Sequence, residues 1–316
     1  MAPEGYSKIP ESQQVLSTVL GEHDVITAQR VKRKDLLASL EKKGQSPKGK
    51  TAYISFFCSD YSSIEASDIP AMGDILLSVG DVHQLNLIIG GPGGDGTIAE
   101  KMIEICRAYC KEFRVIVPNR AKSAATIIAL GADEIVMGYC SELGPIDAQV
   151  PIIVGGIPRY ISAQSFIDSR ASLLKSYAEA VKKKEDTKPI LQQIAVLDAP
   201  FIDHCEKLMD FSRAVASKYL ERYMFAQAKK ASRDKAIQNV LTRLSSVGIF
   251  KVHGRMIDGN EAKTELNLNV KLLPKDDPLW QDIWHYYIRA DVALASGASK
   301  LIESRCECLY SGRRGD

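Results

Sequence analysis

The chain lacks most of what marks a specialised environment. Across its 316 residues no apolar run is long enough to span a bilayer, and the polar stretch 1–14 has no signal-peptide core. This predicts a soluble, cytoplasmic protein without a membrane partner. Charge of one sign is also missing. Lys and Arg number 41 against 39 Asp and Glu, and the formal net charge of +2 argues for no nucleic-acid partner. The seven cysteines are an odd number and include no CxxC pair of the metal-binding kind, which argues against a disulfide framework and a zinc site. Cys106 and Cys110 lie one helical turn apart, and Cys306-Glu307-Cys308 reads as part of a frayed tail. No cofactor or metal is expected. There is no internal repeat and no low-complexity segment.

What is present is an ordinary globular composition, 45% hydrophobic and 25% charged, sufficient for one large domain or two smaller ones. Residues 9–44 read as helical. Strands are predicted over 52–57, 85–89, 113–117 and 134–137, alternating with helices over 72–79, 97–110 and 124–130. Short apolar strands in alternation with helices imply parallel βαβ units with both sheet faces covered. Beyond residue 162 the pattern changes to longer helices over 162–184, 199–229 and 234–244. A last strand is predicted over 249–252, and helices over 258–266 and 278–295. The last helix carries an aromatic stripe of Trp280, Trp284 and Tyr286, read as core or subunit interface.

Two turns stand out. Gly90-Gly91-Pro92-Gly93-Gly94-Asp95 follows one predicted strand, and Ala121-Lys122-Ser123-Ala124-Ala125 follows the next. A glycine-rich turn points backbone N–H groups at a negative oxygen, and a serine at a strand-to-helix turn is presented as a nucleophile. Each has a plainer reading: a structural turn for the first and an N-cap serine for the second. The first is no P-loop, because no Lys-Ser/Thr pair follows it, and its spacing does not fit a dinucleotide fingerprint. In adjacent units the two suggest an oxyanion hole facing a serine, the parts needed for acyl transfer.

These motifs, with Ala132-Asp133-Glu134-Ile135-Val136-Met137-Gly138, Ser141-Glu142-Leu143-Gly144-Pro145-Ile146-Asp147-Ala148-Gln149, Glu261-Ala262-Lys263 and Leu268-Asn269-Val270, resemble the serine dehydrogenase proteinase family. That family groups with ClpP-class and signal-peptide-peptidase-A-like proteases on the crotonase-type fold. The resemblance covers roughly residues 50–272. It implies a ClpP/crotonase-like α/β core of repeated ββα-type units over 49–273, with helical extensions over 1–48 and 274–316. Members often carry an N-terminal membrane anchor; none is recognised here, so a soluble form is expected. It further implies Ser123 as nucleophile, the amides of Gly93 or Gly94 and of Ala124 as oxyanion hole, and a homo-oligomer acting on peptides. Lys122 and Ala125 depart from the family pattern, where an apolar residue precedes the serine and a glycine follows.

A serine hydroxyl needs a base. The resemblance offers Lys175 as the lysine of a serine–lysine dyad, or His253 paired with Asp147 in a triad-like arrangement. The plainer readings are an exposed helix lysine, a core histidine and a turn-capping carboxylate. His204 is a further histidine without a motif. The expected function is therefore a serine peptidase. The alternative is a catalytically degenerate protease-fold subunit that serves as scaffold or partner of an ATPase. An acyl-CoA enzyme of the same fold is a third reading, against which the serine at 123 argues.

Overall fold

The computed structural model describes residues 25–245 and 255–312. The predicted strand over 249–252, His253 and the first part of the predicted N-terminal helix lie outside the described residues.

A seven-stranded sheet organises the chain. Its strands are β1 (Thr51–Cys58), β2 (Val82–Gly90), β3 (Cys110–Val117), β5 (Glu134–Met137), β10 (Val270–Leu272), β11 (Ala298–Ser304) and β12 (Cys308–Gly312), in the order β10-β5-β3-β2-β1-β11-β12. The five strands from β10 to β1 run parallel, while β11 and β12 add an antiparallel edge. The molecule is thus a mixed α/β protein with a largely parallel central sheet and helical extensions, the class the alternation predicts.

The strands read as apolar runs because both faces are covered, and side-chain alternation separates two cores. Ile54 and Phe56, Leu87 and Ile89, and Val115 and Val117 face one core, together with α2 (Asp68–Val79), α3 (Gly96–Ala108) and α4 (Ala124–Leu130). Tyr53 and Phe57, Ile88 and Ile116 face the other, packed by Leu37 and Leu40 of α1 (Val25–Lys43) and by Trp280, Ile283 and Tyr286 of α10 (Pro278–Ala295). The aromatic stripe of the last helix is therefore core.

Three short strands, β4 (Arg120–Ala121), β6 (Glu142–Leu143) and β9 (Ile257–Asp258), form a small sheet above the C-terminal strand ends, stabilised by a short helix α9 (Gly259–Thr264). A two-stranded hairpin follows, β7 (Gln149–Val154) and β8 (Ile157–Ser162). Gly155 and Gly156 both take positive φ, 59° and 82°, as a two-residue hairpin turn requires. The long helices α5 (Ala163–Lys183), α6 (Lys188–Ala195), α7 (Ala199–Tyr219) and α8 (Lys230–Ser245) come next, with a π-helical turn, Leu220–Met224, after α7. Among the described residues no helix is long and apolar enough to cross a membrane.

The segment read as a frayed tail is instead a hairpin in the main sheet. Two of its charged residues, Lys300 and Glu303, disguise it, because they are buried and pair inside. Glu303 of β11 is fully buried and accepts from Arg33 Nε at 2.8 Å and from the Tyr286 hydroxyl at 2.6 Å. The Ser55 hydroxyl of β1 lies 2.6 Å from Tyr286 Oη and completes the chain by donating to it. Burial, then the Glu303 charge, push the Tyr286 hydroxyl well above its ordinary pKa, so it stays a donor. Removing Glu303 takes the carboxylate from the buried Arg33 guanidinium, and breaking a buried ion pair by removing one partner is costly. Glu303→Ala is therefore expected to cost about 3–5 kcal/mol in urea unfolding. A loss under 1 kcal/mol contradicts the role given to this network.

Candidate active site

β2 and β3 are neighbours, so their outgoing turns meet. Gly91 donates to the Arg120 carbonyl at 3.1 Å, and Lys122 donates back to the Gly91 carbonyl at 3.2 Å. These two bonds lay the glycine turn beside the serine turn. Gly93, at φ 108°, is where they touch. A Cβ there would sit 2.6 Å from the Lys122 carbonyl oxygen and 2.8 Å from Ser123 Cβ. Only glycine allows that approach. Gly94 is equally confined on its other side, where a Cβ would meet the Ile64 backbone at 2.3 Å.

Ser123 has φ 49° and ψ −116°, outside the regions an L-residue favours, and its side chain makes no capping bond to α4. The N-cap reading therefore does not describe it. The turn is over-determined by its neighbours. Thr126 donates to the Ala121 carbonyl at 2.7 Å and accepts from the Gly144 amide at 3.1 Å, tying α4 to the loop after β6. Among the described residues, the amides of Gly93, Gly94 and Ala124 donate to no protein acceptor. The turns thus present a half-buried hydroxyl and three free N–H donors.

The two departures from the family pattern are absorbed locally. Lys122 turns away from the serine, with Nζ 2.7 Å from a Glu142 carboxylate oxygen and 3.3 Å from the Arg255 carbonyl. Ala125 is buried in the core under the turn. Asp95, at the end of the glycine turn, caps α3 by accepting from Thr97 N at 2.7 Å.

The turns floor a cleft of ≈ 810 Å³. Ile127, Leu208 and Phe211 make one apolar side, residues 60–65 form a polar wall, and Gln149 and Tyr160 of the β7–β8 hairpin close another edge. Neither the wall nor the hairpin features in the sequence reading. The glycine pair between two apolar alternating runs is the signal that identifies the hairpin. Cys58 lies under the glycine turn, and burial, then the Asp68 carboxylate, push its thiol up to about 12. It is no competing nucleophile at neutral pH.

The base candidates are placed very differently. Asp147 is 1% exposed on the loop between β6 and β7, next to the cleft-lining Ala148 and Gln149. Lys175 is exposed on α5, and His204 is exposed on α7. His253 lies outside the described residues.

A hydroxyl held beside unpaired amide donors on a parallel α/β scaffold is an arrangement suited to acyl transfer. Comparison with known proteins agrees with that class. The family model of the ClpP-like SDH-type serine proteinases matches residues 54–165, which contain both turns, so the resemblance read from the motifs is borne out there. Two uncharacterized proteins of Methanocaldococcus jannaschii are similar. MJ0137 is 44% identical over 66 residues, 21% of this chain and 23% of that protein. MJ1495 is 26% identical over 162 residues, 51% of this chain and 44% of that protein. The matched stretches thus span less than half the length of these relatives.

Among solved structures, a serine-to-alanine mutant of the 1510-N membrane-bound stomatin-specific protease aligns with 44% of this chain and 66% of its own, at 14% identity and a TM-score of 0.28. A lysine-to-alanine mutant of the same protease, in complex with a substrate peptide, aligns with 76% of this chain and 96% of its own, at 14% identity and a TM-score of 0.26. At such scores no geometry is carried over.

The Ser123 conformation yields a direct prediction. Relief of its backbone strain makes Ser123→Gly more stable than the parent by roughly 1 kcal/mol in chemical unfolding, after the entropy cost of glycine. A variant less stable than the parent contradicts the strained turn.

Proposed function

We propose that the chain is a serine peptidase working through an acyl-enzyme on Ser123. The observation that carries this reading is the strained, uncapped Ser123 beside the unpaired amides of Gly93, Gly94 and Ala124. The family match over 54–165 supports it. Ser123 Oγ attacks the peptide carbonyl carbon as its proton passes to a base. The carbonyl oxygen gains charge and accepts hydrogen bonds from the amides. Collapse of this intermediate expels the amine, which takes the proton, and water then hydrolyses the ester by the same route.

For the base we favour His253 oriented by Asp147. Asp147 is buried on the loop that Thr126 fastens to α4, where a carboxylate can hold an imidazole. A lysine base must be desolvated to act near neutral pH, and Lys175 is exposed. The apolar side of the cleft fits an apolar substrate side chain next to the scissile bond. A homo-oligomer, which the resemblance implies, belongs to the same proposal.

Ser123→Ala is expected to abolish peptide hydrolysis and labelling by a fluorophosphonate probe. Gly93→Ala is expected to lower kcat by about 10²-fold or more, because the new Cβ collides with the Lys122 carbonyl and Ser123 and displaces the amide donors of the turn. His253→Ala and Asp147→Asn are expected to lose hydrolysis while Lys175→Ala keeps it, measured with a fluorogenic peptide. A parent protein that resists the probe supports the scaffold alternative, and loss of activity in Lys175→Ala alone overturns the choice of base.

A further inference from the structure

The polar wall of the cleft is built on the C-terminal hairpin, outside the segment 54–165. Ser59 donates its amide to the Ser299 carbonyl at 2.9 Å, and the Ser62 hydroxyl donates to the same oxygen at 2.7 Å. One residue on, Lys300 leaves β11 with its side chain 7% exposed and reaches two carboxylates. Its Nζ donates to Glu65 at 2.8 Å and to Asp68 at 2.7 Å. Asp68 in turn accepts the Glu65 amide at 2.8 Å. The wall and the first turn of α2 are thus clamped to β11.

The other side of the wall rests on the glycine turn. Ile64 donates to the Gly93 carbonyl at 2.7 Å, and Asp95 donates to the Ile64 carbonyl at 2.9 Å. Gly94 lies between these bonds with no room to shift toward Ile64. A movement of Ile64 therefore moves Gly93 and Gly94, and with them the donors that face Ser123.

We infer that Lys300 is a positioning residue for the oxyanion turn: through Glu65 and Asp68 it holds Ile64, and Ile64 holds Gly93 and Gly94 opposite Ser123. The inference rests on the peptidase reading for its catalytic consequence and on geometry alone for the positioning. A cation buried beneath a sheet is a costly way to gain stability, since a buried ion pair barely offsets its desolvation. Burial opposes the Lys300 charge, but the hydrogen bonds to Asp68 and Glu65 outweigh it and raise its pKa above the ordinary lysine value. The ammonium therefore acts as a permanent two-pronged clamp.

The test uses the full chain with Lys300→Met and with the double variant Lys300→Met, Asp68→Asn, which leaves no buried charge uncompensated, since the remaining Glu65 side chain is 60% exposed. Amide hydrogen exchange reads the wall directly. The double variant is expected to exchange at Ile64 and Asp95 at least about 10-fold faster than the parent while core strand amides stay protected. With a fluorogenic peptide, kcat is expected to fall by about 10²-fold, the scale set by misplacing catalytic donors, with KM changed less than about 2-fold. Fluorophosphonate labelling of Ser123 is expected to slow in parallel. Unchanged exchange at Ile64 and Asp95 overturns the inference. So do unchanged kcat and labelling in a variant whose parent is labelled at Ser123. Faster exchange in a protein whose parent is never labelled leaves the positioning in place and removes the peptidase reading.

Discussion

The pair of backbone bonds between Gly91 and the segment Arg120–Lys122 is the constraint on which the site depends. Parallel strands β2 and β3 deliver their turns to the same end of the sheet, and these bonds lock one turn against the other. Once locked, only glycine fits at 93, and Ser123 is forced to a φ of 49°. The strain at the serine is maintained by the packing around it: Thr126 beneath, the Gly144 loop beside, and the Ala124 and Ala125 methyl groups in the core. Backbone strain persists only where the surroundings over-determine it in this way.

The periphery serves the same end. Lys122, Glu142 and Arg255 join the three short strands above the sheet, so the lysine next to the serine is structural. Residues 60–65 are held from below by β11 and lean on the glycine turn. The β7–β8 hairpin lines the cleft with Tyr160, which is 69% exposed. The C-terminal stretch thus supplies a helix to the second core, two strands to the sheet and the footing of the cleft wall.

Much of this architecture was legible in the sequence, for a physical reason. Strands buried on both faces read as continuous apolar runs, and the glycine and serine turns interrupt them sharply. The helix Ala124–Leu130, the strand Glu134–Met137 and the helix Pro278–Ala295 fall where the patterns put them. The β11–β12 hairpin was illegible because Lys300 and Glu303 make a core strand resemble a solvated tail. Their partners, Asp68 and Arg33, are distant in sequence, and no local pattern announces such pairing. The cleft wall was hidden for the same reason. The serine turn carried its own local signal, whereas a proton acceptor for that serine is defined by proximity in space, which spacing along the chain does not encode.

The most direct measurement is a crystal structure of the protein after reaction with a small fluorophosphonate. A phosphorus–oxygen bond to Ser123 Oγ is expected, with the phosphoryl oxygen accepting hydrogen bonds from the amide of Gly93 or Gly94 and from that of Ala124. An unmodified Ser123, or an adduct whose phosphoryl oxygen points away from the glycine turn, contradicts this expectation.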